Sequence, residues 1–162
     1  MSDKATTDLA TMLLAQCRDA NLKLATAESC TGGLIAAALT EIAGSSDVFD
    51  RGFVTYSNEA KMQMLDVSAA SLDRFGAVSE SVAKEMAYGA LVNSMADVCV
   101  AVTGVAGPDG GTDDKPVGTV WIAVATQGQS PQAKCMNFGN LGRKKIRQET
   151  VKSALNMMFE WI

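Results

Sequence analysis

The sequence predicts a three-layer α/β/α sandwich built on a mixed, mostly parallel sheet. Three observations predict it. Strands and helices alternate over the first hundred residues; the continuous apolar run at 98–102, bounded by Asp97 and Thr103, suits a buried central strand; and two late strands flank a polar turn as a hairpin. Leu9, Met12, Leu13 and Cys17 recur at helical spacing, so residues 5–20 form an amphipathic helix. A strand at 22–26 and a helix at about 31–43 follow, with Gly44 suited to its C-cap. Ser45-Ser46-Asp47 is a polar turn, and Gly52 to Tyr56 is a second strand. Asn58 can cap a short helix running to Leu65, Ser68 another to Phe75, and Ser79 a third over about 80–95. Residues 104–116 carry too much glycine and proline for regular structure. Strands at 117–126 and 132–138 enclose a Gln-Gly-Gln-Ser-Pro turn, and a last helix spans about 143–161. The expectation is one domain over 1–162.

Composition excludes several function classes. A net charge of −4 speaks against a broad nucleic-acid-binding face. No apolar run approaches the roughly 20 residues of a spanning helix, and the polar start MSDKATTD lacks the apolar centre of a signal peptide. The four cysteines are scattered without a C-x-x-C pair, so reduced thiols in the cytoplasm are expected. With no histidine in the chain, a Ser-His-Asp triad and His-ligated metal are both impossible. Neither a metal nor a cofactor is expected.

Chemistry concentrates at Thr26-Ala27-Glu28-Ser29-Cys30-Thr31-Gly32-Gly33, where a strand turns into a helix. Free N–H groups and the positive helix end converge at such a corner, which can hold an anion or present a nucleophile beside oxyanion donors. Ser29 can be that nucleophile or a plain N-cap, and Cys30 competes with it as a low-pKa thiol or a buried inert one. Gly32 and Gly33 are costly in a first helical turn, which a close approach of ligand or backbone would explain. Lys61 falls in the first turn of a helix, where the dipole disfavours a cation and favours the neutral base. It is either that base or a solvated lysine. Tyr56 covers the sheet edge or joins a proton relay. The glycine loop from Thr103 and Gly104 to Gly111 lacks the Gly-Lys-Ser/Thr ending of a Walker motif. Arg143-Lys144-Lys145-x-Arg147 opens the last helix and is either solvated or faces an anion such as phosphate. Segments 26–33, 45–47, 55–61 and 103–111 are expected to meet at one sheet edge, where open α/β sheets collect ligands.

Several motifs occur together and in order: Ala27-Glu28-Ser29-Cys30-Thr31-Gly32-Gly33, Gly44-Ser45-Ser46-Asp47, Gly52 through Lys61, Gly76-Ala77-Val78-Ser79, Thr103 through Gly111, and Lys115-Pro116-Val117-Gly118-Thr119-Val120. Together they resemble the CinA C-terminal domain family over nearly the whole chain. The resemblance implies a stand-alone nicotinamide-nucleotide amidase, which hydrolyses nicotinamide mononucleotide to nicotinate mononucleotide and ammonia in pyridine-nucleotide recycling. It implies Ser29 as nucleophile, Lys61 as base and Tyr56 assisting. Ser46, Thr103 and Arg143 would line the substrate pocket, and Ser46 stays open as the alternative attacking serine. Backbone N–H groups near Thr31, Gly32 and Gly33, with Gly104 of the glycine loop, would contact substrate. One departure is that the Gly-Asp-Arg often seen before the last helix is Leu141-Gly142-Arg143 here. The competing class is a non-catalytic nucleotide-binding or regulatory module, since this domain also occurs fused to enzymes. The partners expected are a small nucleotide, neither nucleic acid nor membrane, with a homo-oligomer allowed.

Overall fold

The computed structural model describes residues 2–162. In chain order the elements are α1 (Lys4–Asp19), β1 (Leu24–Glu28), α2 (Leu34–Thr40), a 3-10 turn (Ser45–Asp47), β2 (Phe49–Val54), α3 (Asn58–Leu65), α4 (Ala69–Phe75), α5 (Glu80–Val92), β3 (Val98–Gly104), β4 (Thr119–Thr126), β5 (Gln132–Asn137) and α6 (Arg143–Glu160). The sheet order is β2-β1-β3-β4-β5. β1 runs parallel to both β2 and β3, whereas β4 is antiparallel to β3 and to β5, so of these five strands β4 alone opposes the rest. The fold is therefore the α/β/α sandwich with a mixed, mostly parallel sheet.

Strand alternation sorts side chains by size between the two layers. Val98, Val100 and Val102 of β3, with Val120, Ile122 and Val124 of β4, join the core beneath α1, α2 and α6. Ala25, Ala27, Cys99, Ala101, Ala123 and Ala125 point to the other face, beneath α5. The register places Ala101 opposite Ala123 and Cys99 opposite Ala125, so this face is shallow across three adjoining strands. A shallow face lets α5 lie close, and α5 answers with Ala83, Ala87 and Ala90. Bulkier residues here would overpack at about 1–3 kcal/mol each.

A second close approach joins α5 to α3. A Cβ on Gly89 would stand 1.9 Å from the Leu65 carbonyl oxygen, so only glycine fits. Serine hydroxyls start the three helices on this side: Ser57, Ser68 and Ser79 accept from the N–H groups of Ala60, Ser71 and Val82, each cap contributing roughly 1 kcal/mol.

Several boundaries differ from the sequence expectation. Ser57, not Asn58, caps α3. β1 begins later because the Leu22 N–H closes the end of α1 on the Cys17 carbonyl. α2 is shorter at both ends. It stops at Thr40, with Glu41 as C-cap, and Gly44 instead leads the 3-10 turn. Among the described residues, no helix is long and apolar enough to cross a membrane.

Candidate active site

β1, β2 and β3 end side by side at Glu28, Val54 and Gly104, and the segments that follow them form one cleft. Ser29 continues β1 by donating its N–H to the Val102 carbonyl of β3 at 3.0 Å, which fixes its backbone. The chain then turns sharply, and the Gly32 N–H returns to the Ser29 carbonyl at 3.1 Å. Gly32 (φ +58°) and Gly33 (φ +106°) are left-handed, and Gly33 is the N-cap of α2 without any side-chain cap. Backbone conformation, rather than a close contact, explains these glycines, because a Cβ on either would meet its neighbours at an ordinary 3.6 Å.

Ser29 does not cap the helix; Glu28 does that work. Its buried carboxylate accepts from the Ile35 N–H at 2.8 Å, the Ala36 N–H at 3.0 Å and the Thr31 hydroxyl at 2.6 Å. Glu28 was not among the residues expected at the site. A charged residue ending a strand of otherwise uncharged residues was the available signal, since a buried carboxylate must find donors.

Capping by Glu28 leaves the Ser29 hydroxyl for another partner. Lys61 Nζ donates to Ser29 Oγ at 2.9 Å and to the carbonyls of Thr55 at 2.8 Å and Tyr56 at 3.4 Å. Lys61 is not solvated: only 1% of its surface is exposed. Burial is the main cause that holds its ammonium pKa below the usual lysine value. A neutral amine has two N–H bonds and one lone pair. The two carbonyls can take the N–H bonds, which turns the lone pair toward the Ser29 hydroxyl. Burial acts oppositely on Cys30, whose thiol is pushed up to about 11 and so stays protonated at neutral pH.

The cleft has a volume of about 320 Å³. Ser29, Tyr56, Lys61, Thr103, Gly104 and Arg143 of the expected set line it, together with Cys30. Asn58 and Asp109 join them without having been foreseen as site residues. Thr103 braces the wall by donating its hydroxyl to the Ala77 carbonyl at 2.9 Å. Arg143 stands at the mouth, with Nη1 on the Gly107 carbonyl and Nη2 on the Tyr56 hydroxyl, both at 2.8 Å. The Tyr56 hydroxyl is thus engaged by Arg143, not by Lys61 or Ser29.

Thr31, Gly32, Gly33 and Ser46 are not in the cleft lining. The Thr31 hydroxyl is committed to Glu28, and the two glycines lie behind Ser29 where the turn enters α2. Ser46 is exposed and precedes β2, so it lies at the opposite end of the sheet. The nearby Lys23–Asp47 contact marks that edge, because Lys23 precedes β1. Segment 45–47 therefore does not meet the other three within the chain.

The sequence profile of the CinA C-terminal domain matches residues 6–162. The chain belongs to this family. The nicotinamide-nucleotide amidohydrolase PncC of Enterobacter agglomerans is 55% identical over 125 residues, covering 77% of this chain and 76% of that protein. A CinA-like protein of Colwellia psychrerythraea is 61% identical over 115 residues, covering 71% of this chain but 27% of that protein. The chain thus spans about a quarter to a third of the length of several longer relatives. The crystal structure of the competence/damage inducible protein CihA from Agrobacterium tumefaciens is 49% identical with a TM-score of 0.97, covering 99% of this chain and 97% of that one.

Proposed function

We propose that this chain is a single amidohydrolase domain that converts nicotinamide mononucleotide to nicotinate mononucleotide and ammonia in cytoplasmic pyridine-nucleotide recycling. The observation that carries the proposal is a buried lysine amine 2.9 Å from a serine hydroxyl at the wall of a cleft. The PncC relative supplies the substrate class by its printed name.

The chemistry follows from that pair. Neutral Lys61 takes the proton of Ser29 as Oγ attacks the carboxamide carbon. The resulting lysine ammonium returns a proton to the amide nitrogen, the C–N bond breaks, and ammonia leaves. Water then adds to the acyl-Ser29 ester, again deprotonated by Lys61, and Ser29 leaves with that proton. Backbone N–H groups of the turn after Ser29 stabilise the oxyanion in both halves. Ammonia release by purified protein from nicotinamide mononucleotide tests the reading. Nucleotide binding without ammonia release would identify the non-catalytic module instead.

Arg143 at the cleft mouth suits the substrate phosphate. Arg143→Ala is expected to raise KM for the nucleotide by about tenfold or more, the loss of a charge-assisted contact. KM for the dephosphorylated riboside should change little, and equal effects on both substrates would remove Arg143 from phosphate recognition. Because the proposed steps use only serine, lysine and backbone donors, turnover is expected to survive EDTA. Activity lost on chelation and restored by a divalent ion would overturn that route.

A further inference from the structure

α6 sends a second arginine into the nucleophile turn from behind. One helical turn after Arg143, Arg147 Nε donates to the Cys30 carbonyl at 3.1 Å and Nη2 to the Thr31 carbonyl at 3.0 Å. Both bonds link residues more than a hundred positions apart, and they fall on the second and third peptides after Ser29. A trans peptide is planar, with C=O and N–H pointing in opposite directions. Holding the Cys30 carbonyl at Arg147 therefore aims the Thr31 N–H away from α6.

The amides of this turn divide in a specific way. The Gly32 N–H is spent on the Ser29 carbonyl. That same bond holds the Ser29 carbonyl, and so fixes the opposed N–H of Cys30. The Cys30 N–H meets no acceptor beyond its own thiol, and the Thr31 N–H meets none among the described residues. Two adjacent unspent donors thus follow the serine. The turn itself orients the first, and Arg147 orients the second.

We propose that Arg147 is a positioning residue: its guanidinium fork locks the Cys30 carbonyl, and with it the Thr31 N–H, and the Thr31 carbonyl, and with it the Gly32 N–H whose bond to the Ser29 carbonyl fixes the Cys30 N–H, so that the Cys30 N–H at the cleft wall stands as oxyanion donor of Ser29 with the Thr31 N–H beside it. A fork suits the task because two carbonyls are held from one rigid plane, which a lysine cannot do. The assignment separates Arg147 from Arg143 although both belong to one basic cluster. Arg143 faces the cleft, whereas Arg147 is absent from its lining. The inference rests on the amidase reading for its substrate, but not for its nucleophile.

The test compares wild type, Arg147→Ala and Arg147→Lys in ammonia release from nicotinamide mononucleotide. Arg147→Ala is expected to lose about 10²-fold in kcat, the scale of one misdirected oxyanion donor, with KM within about threefold of wild type. Arg147→Lys, which can hold one carbonyl, should fall between the two. Millimolar guanidinium ion should partly restore Arg147→Ala and leave the wild type unchanged. An unchanged kcat, or a loss carried wholly by KM, overturns the assignment; if Arg147→Ala does not fold, Arg147→Lys is judged by the same criteria. Phosphonylation of Ser29 by a fluorophosphonate, followed by mass spectrometry, separates the two proposals. A wild type that releases no ammonia but labels much faster than Arg147→Lys loses the amidase reading and keeps the positioning role. Equal labelling rates overturn the positioning role whatever the substrate.

Discussion

Ser29→Ala and Lys61→Ala are each expected to cut ammonia release by at least about 10³-fold, and the double variant to be little worse than either single one. In the proposed mechanism the two groups act on one proton, so neither would retain its function once the other is gone. Strictly additive losses, or a Ser29→Ala enzyme with wild-type turnover, would break the dyad. The pH profile of kcat/KM should rise through an apparent pKa below the 10.5 of an ordinary lysine, because burial disfavours the Lys61 ammonium. Stability carries the same signature. Between the lowered folded pKa and 10.5, the unfolded chain binds more protons than the folded one, so stability rises with pH in that window. The cost of burying the cation is present in full below the folded pKa and relieved as pH climbs toward 10.5. The stability of Lys61→Met relative to wild type should therefore be greatest near neutral pH and decline in alkali. Urea unfolding at a series of pH values would show it, and a difference independent of pH would contradict the burial argument.

Glu28→Ala is expected to cost about 3–5 kcal/mol in folding stability, since three donors, two of them buried and one half-buried, lose their acceptor at once. Glu28→Gln should cost less but still more than about 1 kcal/mol, because its NH2 group confronts a donor that the carboxylate accepted. Both variants should slow turnover as well, with Glu28→Gln the informative one if Glu28→Ala fails to fold. Urea midpoints measure the first effect and ammonia release the second. A Glu28→Gln protein with wild-type stability and rate would mean that the turn holds its shape without this carboxylate.

Much of the fold was readable because periodicity and punctuation agreed. Ser68 and Ser79 announced α4 and α5, and the apolar run at 98–102 announced β3. The pair Ser29 and Lys61 was also readable as a candidate: one stood at a strand-to-helix corner and the other at an electrostatically awkward helical position. What local sequence did not reveal was which of their two roles each residue plays. Whether Ser29 caps α2 depends on Glu28, which reaches forward over a full helical turn. Whether Lys61 is solvated depends on the segments that follow β1 and β2, which supply its three acceptors. Ser46 was misplaced for a topological reason. A segment that precedes a parallel strand lies at the far end from one that follows it, and short-range pattern does not distinguish the two. Arg147 was visible only as a basic residue, because its acceptors lie on another element.

The contact between Gly89 and the Leu65 carbonyl has a consequence for anyone who would re-engineer this protein. Leu65 ends the helix on which Lys61 sits one turn earlier, so the depth of the amine beside Ser29 is set by how near α3 may approach α5. Gly89 works as a depth stop for a group that it never touches. Even Gly89→Ala is expected to push α3 and α5 apart at this contact, and so to disturb the seat of Lys61, with no polar atom changed. A search for active variants confined to the residues around the cleft would leave out the position that calibrates it.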